Sequence, residues 1–125
     1  MTYIKKGLNI ITKGYNYIKK IASDIIQSIY VGGQFSQVYY DENACNRILN
    51  INSDGSIDNT FSIGTGFTST VNTIVIQSDG KILVGGYFTS YNNTSLNRII
   101  RLNSDGSIDN TFLINFDNTI YNITI

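Results

Sequence analysis

Two different hydrophobic rhythms divide the chain. Over the first thirty residues, apolar side chains fall at Ile4, Leu8, Ile11, Tyr15, Ile18, Ala22, Ile25 and Ile29, alternately four and three apart. That spacing is a heptad seam and predicts an amphipathic helix over residues 1–28. Ile10, Tyr17, Ile21 and Ile26 widen the stripe beyond a two-stranded seam. Gly7 and Gly14 each cost about 1 kcal/mol in a helix interior, so the helix needs a packing partner. After residue 29 the rhythm changes to short β-rich runs separated by Asp-Gly turns, and the period of 3.6 is lost.

The second part repeats itself. Val31-Gly32-Gly33-Gln34-Phe35 returns as Val84-Gly85-Gly86-Tyr87-Phe88, an offset of 53. Asn46-Arg47-Ile48-Leu49 returns as Asn97-Arg98-Ile99-Ile100, and the ten residues Asn52–Phe61 return unchanged as Asn103–Phe112, both offset by 51. Thr119–Ile125 echoes Thr70–Ile76 with an offset of 49. Offsets that hold inside motifs and slip only between them indicate a structural repeat with insertions in its loops. Each unit reads as four strands, laid out in the second copy as Val71–Gln77, Ile82–Phe88, Arg98–Leu102 and a segment around Ile108–Leu113. Asp54-Gly55, Asp79-Gly80 and Asp105-Gly106 predict type I′ turns. The glycine pairs predict a bulge or a close backbone approach. Alternation predicts that Ile100 and Leu102 face the core with Arg101 turned out.

Four strands in about fifty residues, repeated head to tail, is the arithmetic of a propeller blade. The expected fold is therefore all-β, a β-propeller-type repeat of two circularly offset units preceded by an amphipathic helix. The boundaries are 1–28 for the helix and 29–125 for the repeats, divided at about 29–76 and 77–125. The chain enters the repeat at its second strand and leaves at its first, so both ends are sheet edges open to pairing. Two blades do not fill a ring of four to eight, and three copies of this pair would give six. A homo-oligomer, with a trimer favoured, or docking to other structural subunits through helix 1–28, is the expectation.

Composition narrows the chemistry. The chain has no histidine and one cysteine, Cys45, which removes Ser-His-Asp and Cys-His catalysis and an internal disulfide framework. The formal net charge of zero is divided. Residues 1–30 carry five lysines against Asp24, and the remainder carries Lys81, Arg47, Arg98 and Arg101 against eight acids. A cationic head on an acidic body points to two parts with different partners. The lysines are too sparse for a nucleic-acid motif, and no apolar run reaches the length of a transmembrane segment. No enzyme activity and no cofactor are expected.

The candidate residues are few. Asp54, Asp58, Asp105 and Asp109 lie in the acidic turns as weak calcium candidates, weighed against simple turn geometry. Tyr39, Tyr40, Tyr87 and Tyr91 lie near the loop between the second and third strands, where aromatics can contact a sugar at a blade rim. Arg47 and Arg98 are expected to pair with acids of neighbouring units. Asn92, Asn93 and Asn122 satisfy glycosylation sequons, a weak signal in so Asn-rich a chain.

The ordered string from Gln77 through Tyr87-Phe88, with Asn97-Arg98-Ile99-Ile100-Arg101-Leu102-Asn103-Ser104-Asp105-Gly106-Ser107-Ile108-Asp109 and Phe112, resembles the delta-60 repeat. That family builds predicted β-propeller domains in bacterial surface proteins and in phage structural or tail proteins. The likeness covers residues 29–125. The first copy departs from it, because Gln27-Ser28 runs into Ile29 without Asp-Gly-Lys and Asn50 stands where the second copy has Arg101. The resemblance implies a scaffold or binding role in a virion, with a carbohydrate-binding or adhesive module on a bacterial surface as the alternative.

Overall fold

The computed structural model describes residues 28–38 and 41–125. The predicted helix, and with it the seam from Ile4 to Ile25, lies outside the described residues. Ile29, counted at the end of that seam, instead opens a β-strand.

Among the described residues nine strands follow in order: β1 (Ile29–Gly32), β2 (Gln37–Val38), β3 (Asp41–Ala44), β4 (Ile48–Ile51), β5 (Val71–Ile76), β6 (Ile82–Gly86), β7 (Ser90–Tyr91), β8 (Thr94–Ser95) and β9 (Ile99–Leu102). They form small antiparallel sheets: β1 with β4, β2 with β3, β5-β6-β9, and β7 with β8. The third strand of each repeat is capped by a single bridge, Ile51 to Ile57 in the first and Leu102 to Ile108 in the second. The second repeat thus supplies β5, β6, β9 and the Ile108 bridge, four adjacent strand segments in chain order. The first supplies β1, β4 and the Ile57 bridge.

The duplication holds hydrogen bond by hydrogen bond. Ile29 faces Ile51 and Gly32 faces Ile48 in one repeat, as Ile82 faces Leu102 and Gly85 faces Ile99 in the other. Asp58 N donates to Asn50 O and Asp109 N to Arg101 O, at 2.8 and 2.9 Å. The Asp-Gly turns are not type I′, which needs positive φ at both central residues. Only the glycine is left-handed in each (φ 89°, 81° and 88° at Gly55, Gly80 and Gly106). Gly55 N donates to Asn52 O and Asn52 N to Ser56 O, a type I turn closed by a glycine bulge. The left-handed pair of a type I′ turn is found at Asn92 and Asn93 (φ 45° and 62°), between β7 and β8.

The core gathers Ile48, Phe61, Ile63, Phe67 and Val71 with Ile82, Val84, Phe88, Tyr91, Ile100 and Leu102. Ile100 and Leu102 are buried, as alternation predicts, and Arg101 between them is half-buried. Phe67, in the connection between repeats, sets its ring 4.4 Å from Phe88 and 4.5 Å from Tyr91. Rings at these separations add about 0.5–1.5 kcal/mol per pair beyond their burial.

The glycine pairs mark the joint between repeats. A Cβ on Gly32 would lie 2.4 Å from Val71 Cγ1 and 2.7 Å from Ile74 Cδ1. Val71 N donates to Gly33 O at 3.2 Å across the same approach. In the second repeat a Cβ on Gly85 would lie 2.6 Å from Ile120 Cγ2, and Ile120 N donates to Gly86 O at 3.2 Å. The close backbone approach expected at these glycines is present in both copies.

Candidate functional site

Register places three charged side chains of the second repeat together. Lys81 precedes β6, Arg101 lies on β9, and Asp109 follows the Ile108 bridge. Lys81 Nζ and Arg101 Nε each donate to Asp109 Oδ2 at 2.7 Å, while Thr111 N and Oγ1 donate to Oδ1. The Asp109 side chain is nearly buried and every lone pair it offers is used. The Lys81 ammonium, then Thr111 and then Arg101 hold its carboxyl well below the usual carboxylate range. Arg101 also stacks over Phe112, 4.9 Å from the ring centre. A carboxylate so neutralised is a structural tie and a poor base.

The matched positions of the first repeat are Ser28, Asn50 and Asp58. Asn50 Nδ2 donates to Asp58 Oδ2 at 2.9 Å and lies 3.2 Å from Ser28 Oγ. Thr60 N and Oγ1 donate to Asp58 Oδ1, repeating the Thr111 pattern, and these bonds lower the Asp58 pKa. In the first repeat a neutral donor, Asn50, thus takes the place of Arg101 at the aspartate, and Ser28, at the position of Lys81, accepts from Asn50 instead of bonding to Asp58.

Asp54 and Asp105 turn inward on their own loops. Each Oδ1 accepts from the backbone N and hydroxyl of the serine two residues on, Ser56 or Ser107, and the hydroxyl bond leads in lowering both pKa values. Among the described residues no group of three or more carboxylate, cysteine or histidine side chains could hold a metal ion. No helix of the described residues is long and apolar enough to cross a membrane.

The tyrosines separate. Tyr39 and Tyr40 lie outside the described residues. Tyr91 is 1 % exposed, and its hydroxyl donates to Gly106 O at 2.7 Å. Burial, then the nearby Asp105, raise its pKa, so Tyr91 is a core anchor and not a rim contact. Tyr87 is exposed and carries the Arg98 guanidinium 4.6 Å from its ring centre. Among the described residues neither Arg47 nor Arg98 pairs with an acid. Both have left-handed backbones (φ 73° and 69°), and they donate to carbonyls: Arg47 Nη1 to Phe67 O at 3.1 Å, Arg98 Nη1 to Tyr87 O.

Two clefts occupy the same place in each repeat, between the third strand and the segment after it. One is bordered by Ile48, Asn50, Asp58 and Phe61, the other by Ile99, Asp109, Phe112 and Leu113, with volumes of about 100 and 130 Å³. Both fall short of the ~300 Å³ at which small-molecule pockets begin. The sequence reading missed a different surface. At the end of the second repeat Leu113, Ile114, Phe116, Tyr121 and Ile125 are all exposed. The signal was available, since Ile114 and Phe116 match the buried Ile63 and Phe67 of the first repeat, whose neighbours follow them in the chain.

Comparison with known proteins agrees with this duplicated architecture. No curated protein and no solved structure matches the chain. A family model described as a domain of unknown function (DUF5122) beta-propeller matches it twice, over residues 28–61 and 77–112. The matched stretches contain the segments whose hydrogen bonds repeat: the first runs from Ser28, just before β1, to Phe61, and the second from Gln77, ahead of the Asp79-Gly80 turn, to Phe112. With both units matched, the chain belongs to the DUF5122 β-propeller family.

Proposed function

We propose that this chain is a non-catalytic structural or attachment module, a component of a phage or virus particle in its tail or appendage. The carrying observation is the contrast between its polar and apolar groups. Among the described residues the one cluster of charged side chains shown, Lys81, Arg101 and Asp109, is bound to itself and to the Thr111 turn. Large apolar side chains stand exposed together at the end of the second repeat, where a partner surface would cover them. The sequence likeness to the delta-60 repeat, found in phage structural proteins and bacterial surface proteins, supports the setting. Helix 1–28, if it forms on a partner, supplies a second contact with a cationic face.

The test is fractionation of the cells and particles that make the chain, followed with an antibody to it. Recovery with sedimenting particles is the expected result. Recovery only as free soluble protein would remove the virion reading.

A second reading, an adhesive or carbohydrate-binding module of a bacterial surface protein, rests on Tyr87. Its exposed ring, backed by Arg98, is a flat plate of the kind that stacks on a sugar face. Binding to an immobilised glycan panel that is lost in Tyr87→Ala would favour it over the first.

A further inference from the structure

The two outer faces of the repeat pair differ in what they touch and match in what they are built from. Inside the chain, the joint between repeats has two halves. In one, the strand that begins a repeat lies over the glycines of the repeat before it, with Val71 N on Gly33 O and Val71 and Ile74 over Gly32. In the other, the repeat before it meets the Asp-Gly turn of the repeat after. Ser62 N donates to Asp105 O at 2.9 Å, and a Cβ on Gly106 would lie 2.5 Å from Ser62 O.

Beyond the second repeat only the first half is laid down. Ile120 N donates to Gly86 O, Ile120 lies over Gly85, and Ile123 N donates to Thr73 Oγ1 at 3.2 Å. Phe116 N donates to Asn97 O as Phe67 N does to Asn46 O. No described residue supplies the second half, and Leu113, at the position of Ser62, is 85 % exposed. In the first repeat no described residue covers the complementary pieces. Among the described residues β1 is paired on one side only, by β4. Gly55 has no atom within 4 Å of its Cβ position, although its turn is identical in sequence to the Gly106 turn that Ser62 covers.

We propose that the trailing face of one chain binds the leading face of a second copy, with Thr119–Ile125 adding as a strand to β1 of that copy. The occupant is a second copy because the surface is the unfinished half of a joint the chain already makes with itself. The β5–β6 register, in which Val71 faces Gly86, Ile74 faces Val84 and Ile76 faces Ile82, fixes the pairing. Transferred by the repeat offsets, Ile120 faces Gly33, Ile123 faces Val31 and Ile125 faces Ile29 of the second copy. The Asp54-Gly55 turn of that copy then covers Leu113. Such a contact is head-to-tail and propagates until the rotation closes a ring. The inference does not depend on what the assembly is for.

Two measurements on the full chain test it. Val31→Cys and Ile123→Cys chains are mixed under mild oxidation, because facing Cα atoms on antiparallel strands lie within the span of a disulfide. A linked dimer is expected in the mixture, well above either variant alone and above the parent chain with its Cys45. Light scattering across concentration is expected to give a multiple of 13.9 kDa. Leu113→Lys and Tyr121→Lys, at exposed positions that leave the fold's own packing intact, are each expected to weaken that association about tenfold or more. A mass of one chain at every concentration overturns the proposal. So does a multimer that gives no Val31–Ile123 link and ignores both lysines, the result expected if residues 1–27 join the copies or cover β1 themselves.

Discussion

The two repeats share an unchanged ten-residue string, yet they hold their common aspartate in opposite ways. Around Asp109 the second repeat gathers two cations, Lys81 and Arg101. Around Asp58 the first gathers Asn50 and, behind it, Ser28. The exchange is coordinated, since both cations are absent together, and one cation left beside a neutral partner would be a different electrostatic problem. The strand register and the backbone hydrogen bonds around the aspartate match in the two copies. The aspartate is thus held by two charged donors in one repeat and by a single neutral one in the other, with the threonine bonds to Oδ1 common to both. The repeats differ as strongly in their surroundings. Ile63 and Phe67, in the connection after the first repeat, are buried, and their counterparts after the second, Ile114 and Phe116, are exposed.

That last contrast gives the largest expected effect. Phe67 and Phe116 are equivalent, each donating its backbone N to the asparagine carbonyl of the preceding repeat. Phe67→Ala removes a ring that is 2 % exposed and packed on two others, and is expected to cost about 3–5 kcal/mol in a urea melt. Phe116→Ala in a dilute sample should cost less than about 1 kcal/mol. Equal losses would mean that the terminal connection is as well packed as the internal one.

The aspartates come next. Asp109→Asn leaves Lys81 and Arg101 facing each other without a counter-charge, so it should lower the urea midpoint more than Asp58→Asn, which leaves only neutral neighbours. The pH dependence follows from the same charges. The Asp109 pKa is depressed in the folded protein. Its contribution is present in full above the ordinary carboxylate value, about 4, and is lost as pH falls from there through the folded value. Stability should therefore drop below about pH 4, and Asp109→Asn should flatten that drop more than Asp58→Asn does.

Smaller still is Tyr91→Phe. It leaves the buried Gly106 carbonyl without its donor and should cost about 1–2 kcal/mol in thermal melts, with the core packing kept. The smallest effect is expected from installing the second repeat's network in the first. Ser28→Lys with Asn50→Arg should change stability by within about 1 kcal/mol. The two changes should be non-additive, because both side chains reach one carboxylate. A double-mutant cycle reads that coupling directly, and additivity would show that the two positions do not share Asp58.

The repeat itself was legible from the sequence because its motifs recur at fixed offsets, and the alternation in Ile99–Leu102 placed Arg101 between two buried neighbours. The glycine pairs were legible for a related reason: only a missing side chain explains two glycines within a strand. The turn type was not legible in the Asp-Gly pairs. Asp-Gly admits a bulged type I turn as well as type I′, and Asn92-Asn93, seen first as sequons, made the type I′ turn. The two-residue strands β2, β7 and β8 are too short to show any period. Tyr91 and Tyr87 look alike along the chain, and only the tertiary fold buries one and exposes the other. The aspartate network had a signal that went unused. Ser28 and Asn50 depart from Lys81 and Arg101 at matched positions, and a paired departure within a repeat is the mark of two side chains in contact.

The seam at the glycines also orders events in time. Strands within each repeat pair with close neighbours in the chain, so their loops are short and their closure is fast. Val71 reaches Gly33 only after the whole of the first repeat has been traversed. The repeats should therefore organise first and dock late. A substitution at the seam such as Gly32→Ala, which crowds Val71 and Ile74, should then speed unfolding while leaving the folding rate nearly unchanged. The durability of the joined pair would be set at a position that contributes no side chain at all.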